Sequence, residues 1–176
     1  MRAFIRYQGL QTDGPDKETI EAELDDYFYS LGLPIGEEVR KFPLRENGYR
    51  GDTDHKMLWT ALSSIGRSEC YEHANLIGKM YWNWPLPEVS EHRQTIISHY
   101  NETQSVFHQI PPEDRARISS LGTQYRLWRH LQLVNHPCLS SQFKIAENSD
   151  SIGIHNRLWE KMCEGCQNPD IRYIPE

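Results

Sequence analysis

The chain of 176 residues carries 25 acidic against 19 basic side chains, a net charge of −6. That balance disfavours a protein that coats nucleic acid or a membrane surface through an excess of Lys and Arg. Only 38% of residues are hydrophobic and mean hydropathy is −0.72, but five Trp, nine Tyr and five Phe each bury a large area, so a folded, aromatic-rich domain is expected.

The charge is not evenly spread. Residues 1–38 hold nine acids and three bases, and the rest of the chain is neutral. No run of 18 apolar residues occurs and the N-terminus is too short in apolar residues for a secretory signal. The chain therefore reads as cytoplasmic, with no membrane partner and with its four cysteines reduced.

In chain order, residues 1–10 alternate Ala3, Ile5 and Tyr7 against Phe4, which predicts a short strand ending at Gly9. Asp16 then caps a helix in which Ile20, Leu24, Tyr27, Phe28 and Leu31 recur at helical spacing until Gly32 and Pro34 stop it. Residues 39–52, broken by Pro43, Gly48 and Gly51, read as loop, with a short extended piece at 39–44. Helices follow from Thr53 or Asp54 to Ile65, from Ser68 to Tyr81, from about Glu88 to His108, from the PPED start at 111–114 to Val134, and from about Ser149 to Gly165. The expectation is a mainly α single domain, a compact bundle of five or six helices. Its N-terminal strand lies at the edge or pairs with 39–44 as a minimal hairpin. Within it, 1–38 form an acidic strand–helix unit, 39–52 a loop, 53–166 the helical body and 167–176 an ordered tail.

Four patterns could carry chemistry. His136 and Cys138, followed by Cys163 and Cys166 as C-E-G-C, offer four ligands of the kind structural zinc takes, clamping two helix ends together; the alternative is two buried thiols and two exposed ones. A redox role for C-x-x-C is disfavoured, because the pair falls at a helix C-terminus and not at the N-terminus that lowers a thiol pKa. Arg precedes His at similar intervals four times, as Arg50…His55, Arg67…His73, Arg93…His99 and Arg129…His136. The last, R-H-L-Q-L-V-N-H at 129–136, resembles the R-(N/D/H)-x₄₋₅-H motif of HEPN-type endoribonucleases. That resemblance implies a helical, metal-independent nuclease in which Arg129 stabilises the scissile phosphate and His136 moves a proton. Glu69 with His73, Glu88 with His92, and His99 with Glu102 could line a carboxylate-bridged metal site, although their spacing also suits ordinary intrahelical surface pairs. Phosphate loops, dinucleotide fingerprints, nucleophile elbows and H-E-x-x-H are all missing from the sequence.

Interaction surfaces are the stronger signal. The loop at 40–50 interleaves Arg40, Lys41, Arg45 and Arg50 with Phe42 and Tyr49, and the helix predicted from PPED to Val134 carries Arg115, Arg117, Arg126, Arg129 and His130 beside Tyr125 and Trp128. Such mixtures suit nucleic-acid backbones and stacked bases, and equally the hot spots of protein interfaces. The aromatic YWNWP segment is a third contact, unless it folds back on the bundle. Glu18, Glu21, Asp25 and Asp26 make an acidic helix face that is either a solvated surface or a docking face for a basic partner. The expectation is a non-enzymatic adaptor, complex subunit or inhibitor that binds another protein, one with a basic surface, with RNA or DNA as part of the complex. The alternative is an RNA-binding protein or the HEPN-like ribonuclease.

Overall fold

The computed structural model describes every residue except 117, 146 and 147. Its internal contacts cluster into two compact units, Met1–Glu88 and Val89–Glu176. The dividing point falls within the stretch at 53–166 that the sequence presents as one helical body.

The first unit begins with helix α1 (Arg2–Tyr7), where a strand is expected. Three alternating apolar residues are too few to fix a period. Phe4 alone is buried, whereas Ile5 is 40% exposed, and Arg6 anchors the turn through Asp13 at 2.7 Å and through Glu72. Among the described residues there is no sheet, so the hairpin with 39–44 does not form either; a single antiparallel bridge joins Leu44 to Arg50. Helix α2 (Lys17–Ser30) starts where its cap predicts, Asp16 accepting from the Thr19 amide at 3.0 Å, and it buries Ile20, Leu24 and Phe28 along one stripe. Helix α3 (Gly36–Val39) is a single turn in what reads as loop. Helix α4 (His55–Ser64) is capped by Asp54, and a 3₁₀ turn (Ser68–His73) leads into α5 (Ala74–Trp82), which ends in a left-handed Asn83.

These helices enclose a core of Leu24, Phe28, Leu58, Leu62, Ile77, Tyr81, Trp82 and Trp84. The YWNWP segment thus folds inward. Trp82 and Trp84 are buried with ring centroids 5.1 Å apart, Phe28 lies 5.6 Å from Trp82, and the Trp84 Nε1–H donates to Thr53 Oγ1 at 2.9 Å. The chain can turn back this sharply because Gly78 has no side chain: a Cβ there would lie 2.0 Å from the Trp84 ring.

The second unit holds a 3₁₀ turn (Ser90–His92), α6 (Arg93–Gln109), a 3₁₀ turn (Pro112–Arg115), α7 (Thr123–Leu133), a 3₁₀ turn (Ser140–Gln142) and α8 (Ser149–Glu164). The PPED signal starts a turn and not the long helix expected from it. Ala116 adopts φ 51°, which breaks the ladder after one turn, and α7 begins afresh behind Gly122. Asn148 caps α8 by accepting from the Asp150 amide at 2.8 Å. Phe107, Leu121, Trp128, Leu131, Leu158, Trp159 and Met162 are buried here, and so is Ile171 beyond α8. The six longer helices correspond to the six predicted ones, and the mainly helical class holds.

Gly78→Ala is expected to destabilise the protein by about 2 kcal/mol or more, since the indole opposite cannot yield without opening the core. Gly153→Ala in α8 faces only the flexible tip of Arg157 at 3.4 Å and gains helix propensity, so it should be neutral or stabilising by up to about 1 kcal/mol. Urea unfolding of the two variants beside the parent protein checks the contrast.

Candidate functional site

The basic loop at 40–50 is bound to its own fold. Helix α5 ends with carbonyls that lack amide partners, at the negative end of its dipole. Arg40 Nη1 donates to Tyr81 O at 2.8 Å, while Arg50 donates through Nε to Trp82 O at 3.2 Å, through Nη2 to Asn83 O at 3.1 Å and through Nη1 to Phe42 O at 3.0 Å. Two of the four predicted contact cations are therefore helix caps. Arg45 pairs with the exposed Asp52 at 2.9 Å, and Lys41 is exposed beside Phe42 and Leu44.

Tyr49 turns inward. Its hydroxyl donates to His55 Nδ1 at 2.6 Å, His55 Nε2–H donates to Asn75 Oδ1 at 2.7 Å, and Asn75 Nδ2 donates to Tyr7 O at 2.8 Å. Burial pulls the His55 pKa down and favours the neutral imidazole, whose Nδ1 then accepts from Tyr49 and whose Nε2–H donates to Asn75.

The arginines of α7 are more deeply enclosed. Arg126 donates to Gln104, to Tyr100 O at 3.0 Å and to Thr103 Oγ1 at 2.7 Å, with its guanidinium 3.8 Å from the centre of the Tyr100 ring. Arg129 is 0% exposed. It donates to Tyr125 Oη at 3.0 Å, Gln132 Oε1 at 3.0 Å, Asn156 Oδ1 at 3.1 Å and Ile174 O at 2.6 Å, framed by the rings of Trp128 and Tyr173. Among the described residues, no carboxylate lies within ion-pair distance of either guanidinium. Arg129 thus ties the C-terminal segment to α7 and turns no donor outward to a scissile phosphate, while His136 is half-buried. Arg117 lies outside the described residues.

His130 sits beside Arg126, accepting from Arg126 Nε at 3.3 Å. Burial first, then the positive Arg126 and the neighbouring His99, hold its pKa down to about 3.

The cysteine and histidine set is not gathered. Among the described residues, no group of three or more His, Cys, Asp or Glu is placed to hold a metal ion, His136, Cys138, Cys163 and Cys166 included. Burial pushes the Cys163 thiol up to about 12 and the Cys138 thiol up to about 11, and Cys166 Sγ–H donates to Met162 O at 3.1 Å. The acid–histidine pairs are likewise dispersed. His73 Nδ1 bonds to Gln11 Nε2 at 3.0 Å, and Glu69 faces Arg67 at 3.8 Å.

Two clusters of charge without ion pairs among the described residues stand out, one in each unit. On α2, the exposed Glu18, Asp26 and Tyr29 fall on the stripe opposite Ile20, Leu24 and Phe28, with the half-buried Glu21 and Asp25 at its flank. Asp25 is steadied by the Tyr81 hydroxyl at 2.6 Å, whereas Glu18, Glu21 and Asp26 have no ion-pair partner among the described residues. Tyr29 is 80% exposed, followed by exposed Leu31 and Leu33. In the second unit, a cleft of about 190 Å³ is lined by Glu113, Asp114, Arg115, Arg157, Leu158 and Lys161. The sequence shows Arg157 and Lys161 one turn apart on a helix, but their meeting with the Pro112–Arg115 turn depends on tertiary packing that no local pattern encodes.

Fold and surfaces together define a mainly helical protein, with Arg40, Arg50, Arg126 and Arg129 built into its own scaffold and clusters of charge on α2 and around the α8 cleft. The family described as Poxvirus Late Transcription Factor VLTF3 like matches residues 35–168, and the chain belongs to that family. No curated protein and no solved structure matches it.

Arg129→Met should release the C-terminal segment, because Ile174 O and the Tyr125–Asn156 pair lose their shared donor. The expected cost is about 2–4 kcal/mol, with faster tryptic cleavage after the exposed Arg172. Acid gives a second test. Below about pH 6.5 the unfolded chain binds a proton at residue 130 that the folded chain refuses down to about 3, so stability should fall with pH through that window. The slope is at most about 1.4 kcal/mol per pH unit for this group. Urea titrations from pH 7 to pH 4 should show a flatter dependence for His130→Gln.

Proposed function

We propose that this chain is a non-enzymatic subunit of a transcription assembly that docks a basic protein surface on the outer stripe of α2. The observation that carries the reading is the stripe itself: Glu18 and Asp26, without an ion-pair partner among the described residues, beside the exposed Tyr29, while Glu23, on the neighbouring side, is held by Arg67 at 2.6 Å. Carboxylates around an exposed tyrosine and two leucines combine long-range steering with apolar area for the final contact. The unit as a whole carries 15 acidic against 10 basic residues, so the stripe lies in a negative field. Membership of a family described by a late transcription factor supports a partner from transcription machinery, with RNA or DNA as part of the complex. Among the described residues no helix is long and apolar enough to cross a membrane. A metal-independent ribonuclease built on Arg129 and His136 is the weaker reading, because the Arg129 guanidinium is occupied by neutral oxygens on every side.

The test is affinity purification of the tagged full chain from its native cells, in parallel with the variant Glu18→Lys, Asp26→Lys, Tyr29→Ala. The parent should retain one stoichiometric protein at low salt and lose it progressively as salt rises. The triple variant should keep its helical circular dichroism and bind that protein at least about tenfold more weakly. Equal retention by the variant overturns the assignment to α2, and the absence of any stoichiometric protein overturns the subunit reading.

A further inference from the structure

We propose that the cleft between the Pro112–Arg115 turn and α8 is a phosphodiester site that seats one strand of nucleic acid. It shares no residue with the α2 stripe, so the two proposals stand or fall separately.

Three cations converge on the cleft, and none of them is used by the fold as an ion pair. Arg157 and Lys161 stand on successive turns of α8, both exposed, and neither has an ion-pair partner among the described residues. Arg115 closes the opposite wall. Its guanidinium lies 4.9 Å from the centre of the Phe107 ring, and its Nε–H is buried with no acceptor. That Nε–H is closed to solvent, so an anion in the cleft would meet Arg115 through its other guanidinium donors, for which no protein acceptor occurs among the described residues. This contrasts with Arg40, Arg50, Arg126 and Arg129, whose donors are satisfied by oxygens of the protein itself.

The charge count selects the ligand. Against three cations the cleft sets two carboxylates, Glu113 and Asp114, both exposed. The surplus is one positive charge, which suits the single negative charge of a phosphodiester and not the several of a nucleoside triphosphate. The two carboxylates are acceptors for the amino groups of a base or the hydroxyl of a ribose. The floor of Ile154 and Leu158 is apolar, and about 190 Å³ is roughly six water volumes, room for a backbone phosphate and part of the adjoining nucleoside. Single strands are bound elsewhere by this combination of cationic rim and apolar or aromatic floor.

The experiment is fluorescence anisotropy of the full-length protein with a labelled single-stranded oligonucleotide of about ten residues, as DNA and as RNA. The parent should bind at low salt with a negative salt slope. Arg157→Gln with Lys161→Gln, both at exposed positions, should keep the fold by circular dichroism, weaken binding at least about tenfold and reduce the slope by about 0.7 for the one lost phosphate contact. Absence of binding at low salt, or an unchanged affinity in the double glutamine variant, overturns the proposal. Competition by ATP or inorganic phosphate at concentrations equal to those of unlabelled oligonucleotide overturns the phosphodiester assignment.

Discussion

Guanidinium groups held by neutral oxygens and aromatic faces are the constraint on which both units depend. In the first unit Arg40 and Arg50 collect the open carbonyls at the end of α5, which fixes the loop at 40–51 against the helix carrying Tyr81 and Trp82. In the second, Arg126 joins α7 to α6 through Tyr100 O and Thr103, and Arg129 joins α7 to α8 through Asn156 and to the C-terminal segment through Ile174 O. A buried cation without a carboxylate is expensive unless each donor finds an acceptor and the charge meets polarisable surface. Both conditions are met: the acceptors are numerous, and rings of Tyr100, Trp128 and Tyr173 lie within 5.0 Å of the guanidinium carbons.

One consequence concerns the acids. Where arginines are matched to carbonyls, carboxylates are left over. The first unit carries 15 acids and 10 bases, and two of those bases, Arg40 and Arg50, bond to main-chain oxygens. The unpaired acids collect on α2 because its inner stripe is fully apolar and its outer stripe has no basic helix of the same unit against it, apart from the Arg67 contact to Glu23. The negative surface is thus a product of how the interior is satisfied, and not simply of composition.

The same physics decides what was legible in the sequence. Helices α2 and α4 announce themselves through Asp16 and Asp54, because a capping side chain acts within three residues of itself. The strand expected at 1–10 fails because three alternating apolar residues were outweighed by long-range anchors, Arg6 to Glu72 and Asn75 to Tyr7 O. The helix expected from PPED fails because a start signal does not ensure continuation, and Ala116 leaves the right-handed region. Among site residues, the acidic stripe was readable as a helical face. The fate of the arginines was not, since a basic–aromatic run looks the same whether its rings cover an exposed cation or enclose a buried one. Nothing in the local pattern of α7 signals it: Arg126, Arg129 and His130 share one face at i, i+3 and i+4 as on a solvated helix, yet every residue from Tyr125 to Leu131 is buried.

The net charge of −6 therefore describes neither unit well. The second carries 10 acids and 9 bases, and with Arg126 and Arg129 enclosed its local surface depends on which cations escape internal use. Arg115, Arg157 and Lys161 are the ones that meet around a cleft. A chain whose acidic and basic surfaces both act through charge responds to salt in the same direction at each, because screening weakens attraction whatever its sign. Salt dependence alone cannot separate a protein contact at α2 from a phosphate contact at α8. Charge substitution can, because removing a carboxylate from α2 weakens the attraction of a basic partner, whereas removing a cation from α8 weakens the hold on a phosphate and lowers the number of counterions released on binding. The sign of the residue that matters, more than the total charge of the chain, identifies which partner is being read.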